Sequence, residues 1–145
     1  MILLVASCYN QQITTDLQRA CIAKLLASGQ IARQQIVELF VPGAFEIPVV
    51  VAASLAQAKY DCVICLGALI KGETRHFELV ADTVAHALMQ ISVERKTPVI
   101  FEVLTALSVE QALARSGAKG NRGEEAAMAA LQMLETMRRI NAPRT

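Results

Sequence analysis

The chain has 145 residues, 54% hydrophobic and 19% charged, with 14 basic and 13 acidic side chains. That length suits one domain, residues 1–145, with a real core, and the near-balance of charge removes any electrostatic case for nucleic acid or an anionic membrane surface. So apolar a composition in so short a chain points to surface covered by other subunits.

Met1 to Ala6 is apolar but lacks a basic flank and a small-residue cleavage site, so no secretory signal is expected there. No stretch reaches the length of a transmembrane helix. Cys62 and Cys65 form a CxxC, but on a strand residues three apart point to opposite faces, and no second pair completes a zinc site. With Cys8 and Cys21 they read as free, reduced thiols, which places the expected compartment in the cytoplasm.

The apolar run Ile2 to Ala6 is continuous rather than alternating, as in a strand covered on both faces. After Ser7-Cys8-Tyr9-Asn10, the residues Thr14, Thr15 and Asp16 offer caps for a helix with Leu17, Ala20, Cys21 and Leu25 on one stripe, closing at Gly29. Ile36 to Val41 is the second strand. Pro42-Gly43 stops it, Gly43 to Glu46 forms a turn, and Pro48 begins a helix expected to reach about Lys59. A third strand runs from Cys62 to Leu66, and helical spacing from Phe77 to Arg95 follows. Pro98 to Leu104 is the fourth strand; Ser108 with Gln111 and Asn121 with Glu124 propose caps for two more helices, ending near Ser116-Gly117 and Ile140.

Alternating strands and helices imply right-handed crossovers and a four-stranded parallel sheet between helix layers. All four strand-to-helix turns then emerge along one edge, where ligands bind in such sheets. Those turns hold Tyr9 and Asn10, Phe45 and Glu46, the stretch Gly67 to His76, and Thr105. His76 is placed for acid–base work in the first turn of a helix that Thr74 can cap, and that helix N-terminus favours anions. Glu46 suits either ligand hydroxyls or the helix dipole, and Tyr9 either a planar ring or packing. His86, about 80° around the helix from His76, reads as structural. Lys71 as a Schiff-base lysine is a minor reading, and the basic loop Lys119 to Arg122 with Arg115 suits either a phosphate or solvent. Neither a Walker A pattern nor GxGxxG occurs.

Taken together these turns resemble the lumazine synthase family. The carriers are Tyr9-Asn10, Val41-Pro42-Gly43-Ala44-Phe45-Glu46-Ile47-Pro48, Leu66-Gly67, Ile70-Lys71-Gly72-Glu73-Thr74, His76-Phe77-Glu78, Val103-Leu104-Thr105, Glu110-Gln111-Ala112, Arg115, and Asn121-Arg122-Gly123. The resemblance covers nearly the whole length. It implies a flavodoxin-like three-layer α/β sandwich and condensation of 5-amino-6-ribitylaminouracil with 3,4-dihydroxy-2-butanone 4-phosphate, with no metal or organic cofactor. By the family's pattern the pyrimidine stacks at Tyr9, Asn10 and Glu46 help bind the ribityl arm, and backbone around Leu69 and Ile70 fixes the ring. Ala44, Phe45 and Glu73 belong to the same substrate surface, Thr74 and Arg115 hold the phosphate, and His76 moves protons. The family pattern also puts the site between adjacent subunits of a pentamer, or a multiple of it, with Phe101, Arg115 and Arg122 supplied by the neighbour. The other reading kept open is a flavin- or pterin-binding or shell-forming paralogue with reduced turnover.

Some positions depart from that pattern. Tyr9 stands where phenylalanine is usual, Cys8 replaces a common arginine, Glu102 replaces glycine beside Phe101, and Arg122 replaces lysine. The loop from Gly117 to Gly123 is also one residue short.

Overall fold

The structure, a computed structural model, describes residues 1–143. Four strands, β1 (Ile2–Ser7), β2 (Ile36–Val41), β3 (Cys62–Ile70) and β4 (Val99–Ala106), form an all-parallel sheet in the order β2-β1-β3-β4. Helices α1 (Gln11–Ala27), α4 (Val109–Ser116) and α5 (Arg122–Asn141) cover one face; α2 (Ile47–Gln57) and α3 (His76–Arg95) cover the other. This is the flavodoxin-like three-layer arrangement.

The core follows strand alternation. Ile2, Leu4 and Ala6 of β1 join Cys62, Ile64 and Leu66 of β3 beneath α1 and α5, while Leu3, Val5, Val63 and Cys65 pack beneath α2 and α3. Every residue of β1 is buried, which explains why its sequence does not alternate. Cys62 and Cys65 accordingly lie in opposite layers, free and buried.

Four boundaries differ from expectation. Strand β3 continues past Leu66 through Gly67-Ala68-Leu69-Ile70, pairing with Val103 to Ala106, and β4 likewise extends through Thr105. The glycine that looks like a strand end is instead a close approach: a Cβ at Gly67 would lie 2.9 Å from Ser7 Oγ and 3.3 Å from Val103 Cγ1. Helix α1 starts at Gln11, ahead of the expected caps. Its boundary residue is Asn10 in the left-handed region at φ 56°, and Thr14 turns its hydroxyl back to the Asn10 carbonyl at 3.0 Å. Helix α2 stops at Gln57, short of Lys59.

The expected caps of the last two helices form. Ser108 Oγ accepts from the Gln111 N–H at 3.3 Å, though the Gln111 side chain reaches the Leu107 N–H instead of completing the reciprocal bond. Asn121 Oδ1 accepts from the Gly123 N–H at 2.8 Å. Gly123 then seats α5 against α1 main chain to main chain. A Cβ there would collide with the Leu17 carbonyl oxygen and come within 2.8 Å of its carbon. Gly123→Ala is expected to force the two helices apart and cost roughly 3 kcal/mol, as overpacking does. Urea unfolding of the variant should show it as a lower midpoint with an unchanged slope.

Candidate functional site

The carboxyl ends of the strands are laced together by backbone and side-chain hydrogen bonds. The Tyr9 N–H donates to Pro42 O at 3.0 Å, joining the turns after β1 and β2, and Asn10 Nδ2 donates to Ala68 O at 2.8 Å, tying the first turn to β3. The Lys71 N–H donates to Ala106 O at 2.9 Å and joins the ends of β3 and β4. A rim made this way presents side chains from rigid positions.

On this rim Tyr9 is 72% exposed and Phe45 59%, two aromatic rings on adjacent turns with no packing role that would cover them. Packing within the chain therefore does not account for Tyr9. Ala44 is buried under the rim, Leu69 and Ile70 are half-buried at the end of β3, and Glu73, Thr74 and His76 stand exposed. Glu46 is half-buried, and its Oε2 accepts from the Gly43 N–H at 2.9 Å. The carboxylate thus closes the turn after β2 and is held with its remaining acceptor capacity at the edge. Asn10 likewise does structural work, so removing it would disturb the rim as well as any ligand.

Helix α3 begins at His76 itself, with Arg75 as boundary residue and no side chain capping it. Thr74 Oγ1 accepts from the His76 N–H at 3.4 Å, a long bond, so the expected cap is weak and the first-turn amides remain open at the ligand edge. Lys71 is paired with Glu78 at 2.6 Å, and this hydrogen bond holds the Glu78 carboxyl below its usual range. Lys71 stands exposed and paired with a carboxylate, without the desolvating pocket that activates a Schiff-base lysine, which speaks against that reading. His86 Nδ1 donates to the Asp82 carbonyl one turn back at 2.7 Å, in keeping with a structural residue.

A second cluster occupies the outer side of β4. Phe101, Arg115 and Arg122 line a recess of about 300 Å³ together with Glu102 and Thr105. None of Tyr9, Asn10, Phe45, Glu46 or His76 lines it. Within one chain the residues picked out in the sequence therefore fall into two groups. A larger depression of about 890 Å³ lies at the opposite, amino-terminal end of the strands, near Met1, Tyr60 and Pro98, and includes none of them.

The recess is electrostatically uneven. Arg115, in the last turn of α4, donates to the Gln111 carbonyl of its own helix at 3.0 Å and makes no ion pair among the described residues. Arg122 is gripped from two sides: its Nε lies 2.9 Å from Glu102 Oε1 and its Nη1 lies 2.6 Å from Glu125 Oε2. Glu102 is 7% exposed. Burial pushes its carboxyl above the usual carboxylate value, Arg122 opposes that rise, and Glu125 adds to it. Reading the sequence residue by residue missed this pairing, although an unexpected acid and an unexpected arginine in one region were its signal.

The three buried thiols belong to neither cluster. Burial pushes Cys21 and Cys62 up to about 12 and Cys65 up as well, so none is a thiolate near neutral pH. Cys8 is exposed beside Tyr9.

The raised Glu102 carboxyl has a definite thermodynamic sign. A carboxyl whose folded value lies above its ordinary, unfolded one contributes stability that is present below the unfolded value and is lost as pH rises through the folded one. Glu102→Gln suffers no such loss. Its thermal midpoint relative to the parent should therefore rise as pH increases from 4 toward 7, a trend that parallel melts across pH would reveal or refute.

Residues 1–138 match the family model described as 6,7-dimethyl-8-ribityllumazine synthase, and with nearly the whole chain covered the protein belongs to that family.

Proposed function

We propose that the protein condenses 5-amino-6-ribitylaminouracil with 3,4-dihydroxy-2-butanone 4-phosphate to give 6,7-dimethyl-8-ribityllumazine, a step of riboflavin biosynthesis, in the cytoplasm. The observation that carries this reading, beside family membership, is the division of the candidate residues. One group offers aromatic faces and hydroxyl-binding groups at the strand ends, and the other, in the recess beside β4, an arginine of α4 that makes no ion pair among the described residues. The recess adds a guanidinium and a further ring, Phe101, to what the rim presents. Two copies set side by side would complete a site for a ribityl-bearing ring and a phosphate.

The surface supports such an assembly. Val49, Leu79, Met89 and Val93 expose apolar side chains on α2 and α3, and Leu107, Val109 and Leu113 do so at and before α4. Two different apolar faces suit a heterologous contact, which closes into a ring when the rotation allows. We take that ring to be a pentamer, or a multiple of it.

In this site Tyr9 stacks on the pyrimidine, with Phe45 beside it and Ala44 flooring the turn. Asn10 and Glu46 meet the ribityl arm. Main chain at Leu69 and Ile70 fixes the ring, and the neighbour's Phe101 closes over it. The open amides at Glu73 and Thr74 meet the phosphate from one side and the neighbour's Arg115 from the other, with Arg122 behind. The uracil 5-amino group attacks the ketone and loses water to form an imine. Phosphate leaves by elimination, and the ribitylamino nitrogen closes the second ring with loss of a second water. Each step moves a proton, and His76 stands where it can accept and return them. Arg115 stabilises charge on the departing phosphate. Holding two substrates together supplies much of the rate.

The test is absorbance of the lumazine product above the uncatalysed reaction. His76→Ala should lower kcat roughly 10- to 100-fold with little change in KM, since approximation persists without it. Arg115→Ala should raise KM for the phosphorylated substrate by about 10- to 100-fold, the worth of a charged hydrogen bond. A well-folded oligomer that forms no product yet retains a yellow ligand would move the binding or shell-forming paralogue ahead. Light scattering should give a particle five times the 15.7 kDa chain, or a multiple of that; a stable monomer with full activity would overturn the shared site.

A further inference from the structure

Glu102 is an odd residue for its place. It sits in the edge strand β4 with its side chain 8% exposed, where an apolar group would avoid the cost of burying a charge. Its partner is Arg122, the first residue of α5, and the contact is two-pronged: Nε to Oε1 at 2.9 Å and Nη2 to Oε2 at 3.5 Å. The remaining Nη1 is taken by Glu125 at 2.6 Å. One guanidinium thus answers to two carboxylates, and all three of its nitrogens face an acid.

Arg115 lines the same recess and makes no such pair among the described residues. An anion entering there is attracted by Arg115, meets an Arg122 whose donors are engaged, and is opposed by Glu102. The two arginines are therefore unequal although sequence alone makes them look alike. Arg122 supplies shape and Arg115 supplies free charge.

We infer that Glu102 is a specificity-determining residue of the recess: by engaging Arg122 it leaves Arg115 as the one free cation among the described residues that line the recess, so the recess takes a single phosphate group and releases it as inorganic phosphate. This rests on the reading of Arg115 as the phosphate cation, and the test separates the two. The distinguishing consequence is a paradox of sign, since removing a buried charge partner improves binding of the anion.

The experiment is inhibition of the assembled enzyme by inorganic phosphate, measured for the parent, Glu102→Gln, Arg122→Gln, the double variant and Arg115→Gln. Glu102→Gln should tighten phosphate inhibition about three- to tenfold and lower KM for the phosphorylated substrate by a similar factor, with KM for the amine substrate unmoved. A purely structural role for Glu102 would worsen both KM values together. Arg122→Gln exposes the carboxylate and should weaken phosphate inhibition, whereas the double variant should return near the parent. If the double variant is as weak as Arg122→Gln, Arg122 binds phosphate directly and the inference falls. Phosphate inhibition unchanged in Glu102→Gln with native assembly also overturns it. Should Glu102→Gln fail to assemble, the comparison of Arg122→Gln with the double variant decides the matter alone. Arg115→Gln judges the other reading: loss of phosphate inhibition there supports Arg115 as the phosphate cation, and inhibition that persists sinks that assignment whatever Glu102 does.

Discussion

An internal strand of a parallel sheet has both its edges paired and both its faces covered, and β1 is such a strand, paired with β2 from Ile2 to Ser7 and with β3 from Ile2 to Ala6. It lies between β2 and β3, and each of its six residues is buried. Because β1 is first in the chain and internal in the sheet, later strands must add on either side of it by crossover helices. Right-handed crossovers then put α1, α4 and α5 on one face and α2 and α3 on the other. The alignment of four carboxyl ends, from which every rim residue hangs, is a by-product of this single buried strand.

The rim itself is tied by few bonds, yet they fall where they matter. Tyr9 to Pro42, Asn10 to Ala68 and Lys71 to Ala106 connect successive turns across all four strands. The exposed rings of Tyr9 and Phe45 therefore stand on main chain that is held from two directions. The outer recess has a different footing. It rests on an edge strand and on the starts and ends of two helices, and its charges hold one another in place.

Much of this was legible in the sequence, and what was not has physical causes. Continuous apolar runs disclosed the strands because burial on both faces leaves no room for alternation, and Ser108 and Asn121 marked helix starts because their side chains satisfy amides that nothing else reaches. Gly67 misled because a glycine that ends a strand and one that admits a neighbouring side chain look the same in one dimension. The start of α1 was hidden because Asn10 enters through the left-handed region, which no letter announces. Most candidate site residues were picked out by their place in the turns, but their separation into two groups depends on where β4, α4 and α5 lie relative to the other strands. Glu102 and Arg122, 20 positions apart, could be seen as unusual one at a time and not as a pair.

The seat of Gly123 on the Leu17 carbonyl links the two regions in another way. Helix α1 springs from the turn that carries Tyr9 and Asn10, and Gly123 follows directly on Arg122. The atoms in contact belong to the main chain, so the span between the backbone that leads from the aromatic rim and the backbone that carries Arg122 is a fixed gauge. Drift in the side chains of either helix can alter what each end binds, but it has no screw to turn on the distance between them.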